Sequence, residues 1–131
     1  MTATESASPW GQRLEACQQA IEYRFQDQDL LRRCLTHSSS APTRLESNER
    51  LEFLGDAVLD LIVTEYLYLR YPKQREGDLT QVKSLLVSKT ILADKARDIR
   101  IGDFLHLSKE ESHAGGRART SILGDAFEAV L

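Results

Sequence analysis

The residues most able to do chemistry are the acids of the segment NERLEFLGDAVLD. Glu49, Glu52, Asp56 and Asp60 follow one another at intervals of three, four and four residues. On a helix turning about 100° per residue they fall within an arc of roughly 80°, while Glu65 falls on the opposite side. Arg50 lies inside the segment but points away from the stripe. Like charges one turn apart repel by roughly a few tenths of a kcal/mol in a solvated helix, and by more when partly buried. Such a stripe persists where its face is wet or where a cation neutralises it. A second pair, Asp125 and Glu128, also shares one helix face and lies in the small, apolar segment SILGDAFEAVL. Two carboxylate pairs on two helices can meet around a hard cation, because Mg²⁺ prefers oxygen ligands. An ion held in this way polarises a phosphodiester and acidifies water. Spacing by itself leaves the solvated face and the metal site both open.

The elements that must position these acids read as helices. Apolar residues recur with helical spacing along most of the chain, and no convincing strand alternation appears, so the expected fold is all-α. Leu14, Cys17, Ile21 and Phe25 mark a first helix, and Leu30, Leu31, Cys34 and Leu35 a second that ends near His37. Ser38 to Asn48 has the Ser, Pro and Asn content of a loop, with Ser47 or Asn48 as the cap of a third helix over Glu49–Arg70. That helix is apolar almost all round, which predicts a central position with other helices on every side. Gly55 interrupts it at a cost of about 1 kcal/mol relative to Ala, so close packing or ligand approach is expected there. A fourth helix is predicted over Leu79–Arg97. KEESHAGGRART reads as a mobile charged loop, and a last helix begins near Ser121 and continues to Leu131.

Composition sets other bounds. The chain of 131 residues carries a net charge of −3, an awkward balance for a nucleic-acid binder that must neutralise phosphates. Residues 1–9 read as a disordered lead-in, since they have neither the basic start nor the apolar stretch of a secretory signal. No window is apolar enough for a membrane span. Cys17 and Cys34 sit among apolar neighbours and read as buried free thiols, which points to a cytoplasmic protein. His37, His106 and His113 are scattered without zinc-like spacing, which argues against metal ligation by any of them. Arg117 and Arg119 flank the second acidic segment, where either a solvated role or a phosphate contact is open.

NERLEFLGDAVLDLIV, from Asn48 to Val63, resembles the signature of the ribonuclease III family almost residue for residue. REGDLTQVKSLLVSKTILADKAR resembles the helical stretch that follows it in the family, GGRARTSILGDAFEAVL the second acidic motif, and LLRRCLTHSS an upstream segment. The similarity covers roughly residues 10 to 131 in the same order.

The resemblance implies a homodimeric, all-helical nuclease domain over residues 10–131 that cuts double-stranded RNA to 5′-phosphate and 3′-hydroxyl ends, as in processing of ribosomal-RNA precursors. It implies Mg²⁺, with Mn²⁺ as a substitute, held by Glu52, Asp56, Asp125 and Glu128, with Asp56 and Glu128 as the catalytic acids. Glu49 and Glu76 would be secondary acids near the site, Phe53 would pack into the partner subunit, and Asp60 matches no functional position. His37 falls in the family's THSS stretch. Two departures stand out: Gly124 replaces the family's usual Ala, and a longer helix and a basic double-stranded-RNA-binding domain would be expected after Leu131. The second departure would account for the acidic balance of a partial chain. Two rivals are a catalytically silent, RNA-binding or ribosome-associated scaffold and a helical module whose acidic stripe binds a basic partner. Retention of all four acids argues against the first.

Overall fold

The computed structural model describes residues 9–131. Seven α-helices run in the order α1 (Pro9–Ile21), α2 (Gln28–Cys34), α3 (Glu49–Arg70), α4 (Glu76–Leu86), α5 (Lys89–Asp98), α6 (Lys109–His113) and α7 (Thr120–Val130), with three short 3₁₀ turns among the described residues. The only β pairing among them is an isolated bridge between Thr36 and His106, so the all-α expectation holds. No helix among them is long and apolar enough to cross a membrane. The expected lead-in lies outside the described residues except for Pro9, which instead opens α1. A helix start suits proline, because its missing N–H would have no intrahelical partner there.

Local chemistry sets most of the boundaries. The Asp27 side chain accepts hydrogen bonds from the amides of Asp29 and Leu30 and so caps α2. That helix stops at Cys34, three residues earlier than expected, where the chain turns off to bridge His106. α3 has the expected bounds. Its start is held by Ser47, whose Oγ accepts from the Glu49 amide at 3.3 Å. Asn48 turns the other way and donates through Nδ2 to the Cys34 carbonyl at 3.1 Å.

Two readings need correction. The single helix expected over Leu79–Arg97 is two helices, and the first begins three residues sooner, at Glu76. Glu76 and Asp78 occupy its first turn, where they complement the helix dipole. The break falls at Ser88, whose hydroxyl accepts from the Ile91 amide and starts α5 afresh. The supposed loop from Lys109 to Thr120 contains α6 and a 3₁₀ turn. Ser108 caps α6, and Gly115 supplies the left-handed conformation (φ 84°) that precedes the turn.

The centre of the fold also differs from expectation. The most buried helix is α7, with Ile122, Leu123, Gly124, Ala126, Glu128 and Ala129 enclosed. It packs mainly against α3 and α5. Around it lie Leu31, Leu35, Ile101 and Leu105, together with the free thiols Cys17 and Cys34. The Cys34 thiol donates to the Ala129 carbonyl. By contrast, only Gly55 and Leu67 of α3 are buried. Phe53 is 83% exposed, Leu61 66% and Leu54 60%. Within one chain α7 and α4 cover part of α3 and leave a long apolar flank bare.

Gly55 fixes how closely α3 and α7 approach. A Cβ at position 55 would stand 1.8 Å from the Glu128 carbonyl oxygen, a backbone atom that no rotamer change can move aside. The close-packing explanation for this glycine therefore holds. Gly55→Ala improves helix propensity, yet the clash outweighs that gain. The variant is expected to lose about 1–3 kcal/mol or more of stability in urea unfolding. A variant as stable as the unmodified chain would contradict the contact.

Candidate functional site

The α3–α7 contact brings the two acidic segments together. Glu52 projects from the first turn and a half of α3, and Asp125 and Glu128 project from α7. Their carboxylates surround one ammonium group, that of Lys89 at the start of α5. Its Nζ donates a short hydrogen bond to Asp125 Oδ1 and lies 3.5 Å from Glu52 Oε1 and 3.6 Å from Glu128 Oε1. Asp56 is one turn beyond Glu52 on the same helix, is exposed, and is near enough for its charge to act on Glu128.

Burial and crowding make Glu52 and Glu128 hard to ionise. Glu128 is 3% exposed. Burial raises its pKa above the ordinary value, the nearby Lys89 works against that, and Asp56, Glu52 and Asp125 add to the rise. Glu52 is raised by burial first and then by Asp125, with partial relief from Lys89. For Lys89, burial alone would favour the neutral amine. The hydrogen bond to Asp125 and the charges of Asp125, Glu128 and Glu52 outweigh burial and hold the ammonium above its usual range. The cluster thus keeps a surplus of negative charge on hard oxygen donors, a set that suits a small divalent cation. Among the described residues no three acids already stand in coordinating positions. Holding an ion would require them to close in on it.

The other expected residues are placed as follows. Glu49 pairs with Arg44 at 3.3 Å on the surface. Glu76, at the start of α4, lines a separate hollow with Thr64, Leu67, Tyr68 and Lys83, away from the cluster within this chain. Asp60, itself exposed, pairs with the half-buried Lys83 at 3.0 Å. Arg117 turns inward, whereas Arg119 stays at the surface. Arg117 donates to the carbonyls of Gly102 and Leu105, and Arg119 donates to Glu111. His37 and His106 bond to Ser39 and Ser40 near the Thr36–His106 bridge. Gly124 faces α5, where a Cβ would meet Lys89 Cδ at 3.3 Å. Sequence reasoning missed Lys89, which is 36 residues from Asp125. The available signal was a lysine directly after a serine cap, where the helix dipole disfavours positive charge.

Fold and site together define an all-helical protein that gathers carboxylates from two crossing helices beside one lysine. The chain belongs to the ribonuclease III family: residues 27–131 match the family described as Ribonuclease-III-like. It is 52% identical over 120 residues to ribonuclease 3 of Oleidesulfovibrio alaskensis, a match covering 89% of this chain and 52% of that protein. It is 50% identical over 119 residues to ribonuclease 3 of Campylobacter curvus, covering 90% and 52%. The chain spans about half the length of these curated relatives. Among solved structures it superimposes on a nuclease domain of ribonuclease III from Campylobacter jejuni with a TM-score of 0.86 and 44% identity, over 89% of this chain and 80% of that one. That structure was described for flexibility in the region involved in dimer formation. A second structure of the C. jejuni domain gives 0.83 and 45%, over 88% and 78%.

The raised pKa of Glu128 sets the sign of a pH effect. A carboxyl whose folded pKa lies above its unfolded value contributes stability that is fully present below the unfolded value, 4.5 here, and is lost as pH rises through the folded one. At neutral pH, without divalent ions, the charged side chain is therefore a burden. Glu128→Gln is expected to melt a few degrees higher than the unmodified chain in EDTA at about pH 7.5, and to lose that advantage by about pH 4. Thermal melts across this range check it, and a lower melting temperature for the variant at neutral pH would refute it.

Proposed function

We propose that residues 10–131 are the nuclease domain of a divalent-metal-dependent endoribonuclease acting on double-stranded RNA. Its products carry 5′-phosphates and 3′-hydroxyls. Precursors of ribosomal RNA and other structured cytoplasmic RNAs are the substrates this reading favours. The convergence of Glu52, Asp125 and Glu128 from two helices onto one cationic position carries it. With Asp56, these acids would hold Mg²⁺, or Mn²⁺ in its place, and Asp56 and Glu128 would be the catalytic acids. The bound ion would supply Lewis acidity toward the phosphodiester and toward the water that attacks it. Glu128, enclosed by α3, can orient ligands without exchanging its carboxylate with bulk solvent. Asp56 and Asp125 face the open side, from which a duplex would approach. Glu49 is a secondary acid at the rim, and Glu76 would approach a cutting site only through assembly.

The same reading has two copies pairing through the bare flank of α3. Phe53, Leu54, Leu61 and Ile62 expose more apolar surface than an isolated helix face normally leaves to water. Beside them a hollow of about 720 Å³, lined by Phe25, Leu30, Leu51, Leu54 and Val58, can receive a large side chain. Phe53 of a second copy is our choice. A pair related by a two-fold axis would set two acid clusters along one face, matched to an A-form duplex read by shape and 2′-hydroxyls.

Incubating a perfect RNA duplex and a single strand with the chain is the direct test. Cleavage is expected of the duplex, with Mg²⁺ and not with EDTA, and Glu128→Gln should slow it about a hundredfold or more. Equal cutting by the variant would remove Glu128 from the chemistry. For assembly, sedimentation velocity is expected to show a dimer that Leu61→Glu converts to monomer, because the substitution puts a charge on the apolar flank. An unmodified chain that sediments as a monomer at all concentrations would overturn the pairing.

A further inference from the structure

Lys89 occupies the position toward which the acids converge. Two features of the chain favour its staying there, and one opposes it. Its Nζ is shared by three carboxylates from α3 and α7. It stands at the first residue of α5, where the helix dipole opposes a cation, so the acids must more than offset that penalty. Gly124 leaves room for its stem, since a Cβ there would meet Lys89 Cδ at 3.3 Å. The Gly in place of the family's usual Ala thus has a local consequence: it spares the lysine stem a contact tighter than ordinary packing. The side chain is also about half exposed, and so has a route out to solvent.

We propose that Lys89 is a built-in counter-cation that fills the divalent-ion position of the metal-free protein and is displaced when an ion binds. This inference rests on the metal-site reading above. An ammonium and a divalent cation cannot share the same oxygen atoms at these distances, because the repulsion between them would cancel much of the gain from the carboxylates. Metal binding and lysine binding are therefore mutually exclusive. The lysine stabilises the resting acid cluster and at the same time weakens its affinity for metal. Lys89 is thus a positioning residue whose removal has opposite effects on two measurable quantities.

The test is calorimetric titration of Mn²⁺ and Mg²⁺ into the 131-residue chain and its Lys89→Met variant, with thermal melts of both in EDTA. Lys89→Met is expected to bind Mn²⁺ about tenfold more tightly and to melt at a lower temperature when metal-free. A purely structural lysine would lower the melting temperature without tightening metal binding. Unchanged or weaker binding by a folded Lys89→Met overturns the displacement. Absence of binding in both proteins overturns the metal site itself, and the inference with it. A readout on the unmodified protein does not depend on the variant folding. After reductive ¹³C-methylation, the Lys89 resonance, identified by its loss in Lys89→Arg, is expected to shift over the Mg²⁺ concentrations that load the site. A Lys89 resonance that stays unmoved at saturating Mg²⁺ would also overturn the proposal.

Discussion

The arrangement depends on one close crossing. α3 and α7 meet with the backbone of Gly55 against the backbone of Glu128, nearer than any side chain at position 55 would allow. That approach places the first turns of α3 beside the C-terminal half of α7. It converts two ordinary amphipathic spacings into one cluster of acids. Separated by more than a Debye length, roughly 8–10 Å, the same acids would be solvated carboxylates with little mutual influence.

Proximity has an electrostatic cost that the rest of the site is built around. Glu128 is enclosed and Glu52 half-buried, and both resist ionisation because water is displaced and other carboxylates are near. The Lys89 ammonium relieves part of this. It is set apart from the Asp60–Lys83 pair by its three carboxylate partners, one of them the enclosed Glu128. At the α3–α7 crossing the carboxylates are partly desolvated, so removing the ammonium leaves them poorly compensated. A local charge imbalance held in place by a well-packed scaffold is the usual physical form of a functional site.

The scaffold itself is uneven. Packing is dense around α7 and sparse along the outer flank of α3, whose apolar residues face water in the single chain. A helix with apolar residues on all sides needs partners on all sides. α7 and α4 cover part of α3, and the rest of its apolar surface stays bare in the single chain. Arg117, turned inward onto the carbonyls of Gly102 and Leu105, and Arg119, paired at the surface with Glu111, brace the segment leading into α7.

What the sequence alone determined were properties carried by local spacing and by motif. The helical class, the bounds of α3, the shared face of Glu52 and Asp56, the pairing of Asp125 with Glu128, and the family likeness were all legible in it. Periodicity reports which residues share a face, and the acids were conspicuous because they sit in apolar surroundings. Local signals that were present but outweighed led to errors: Ser88 breaks a continuous apolar pattern through a single hydroxyl cap, and α6 forms within a segment rich in charge and glycine. Only the tertiary structure decided that α7 rather than α3 is the enclosed helix, that Gly55 serves a backbone contact, and that Lys89 joins the acids from 36 residues away. These depend on which faces meet across large separations in the chain, and a helical repeat carries no information about its partner.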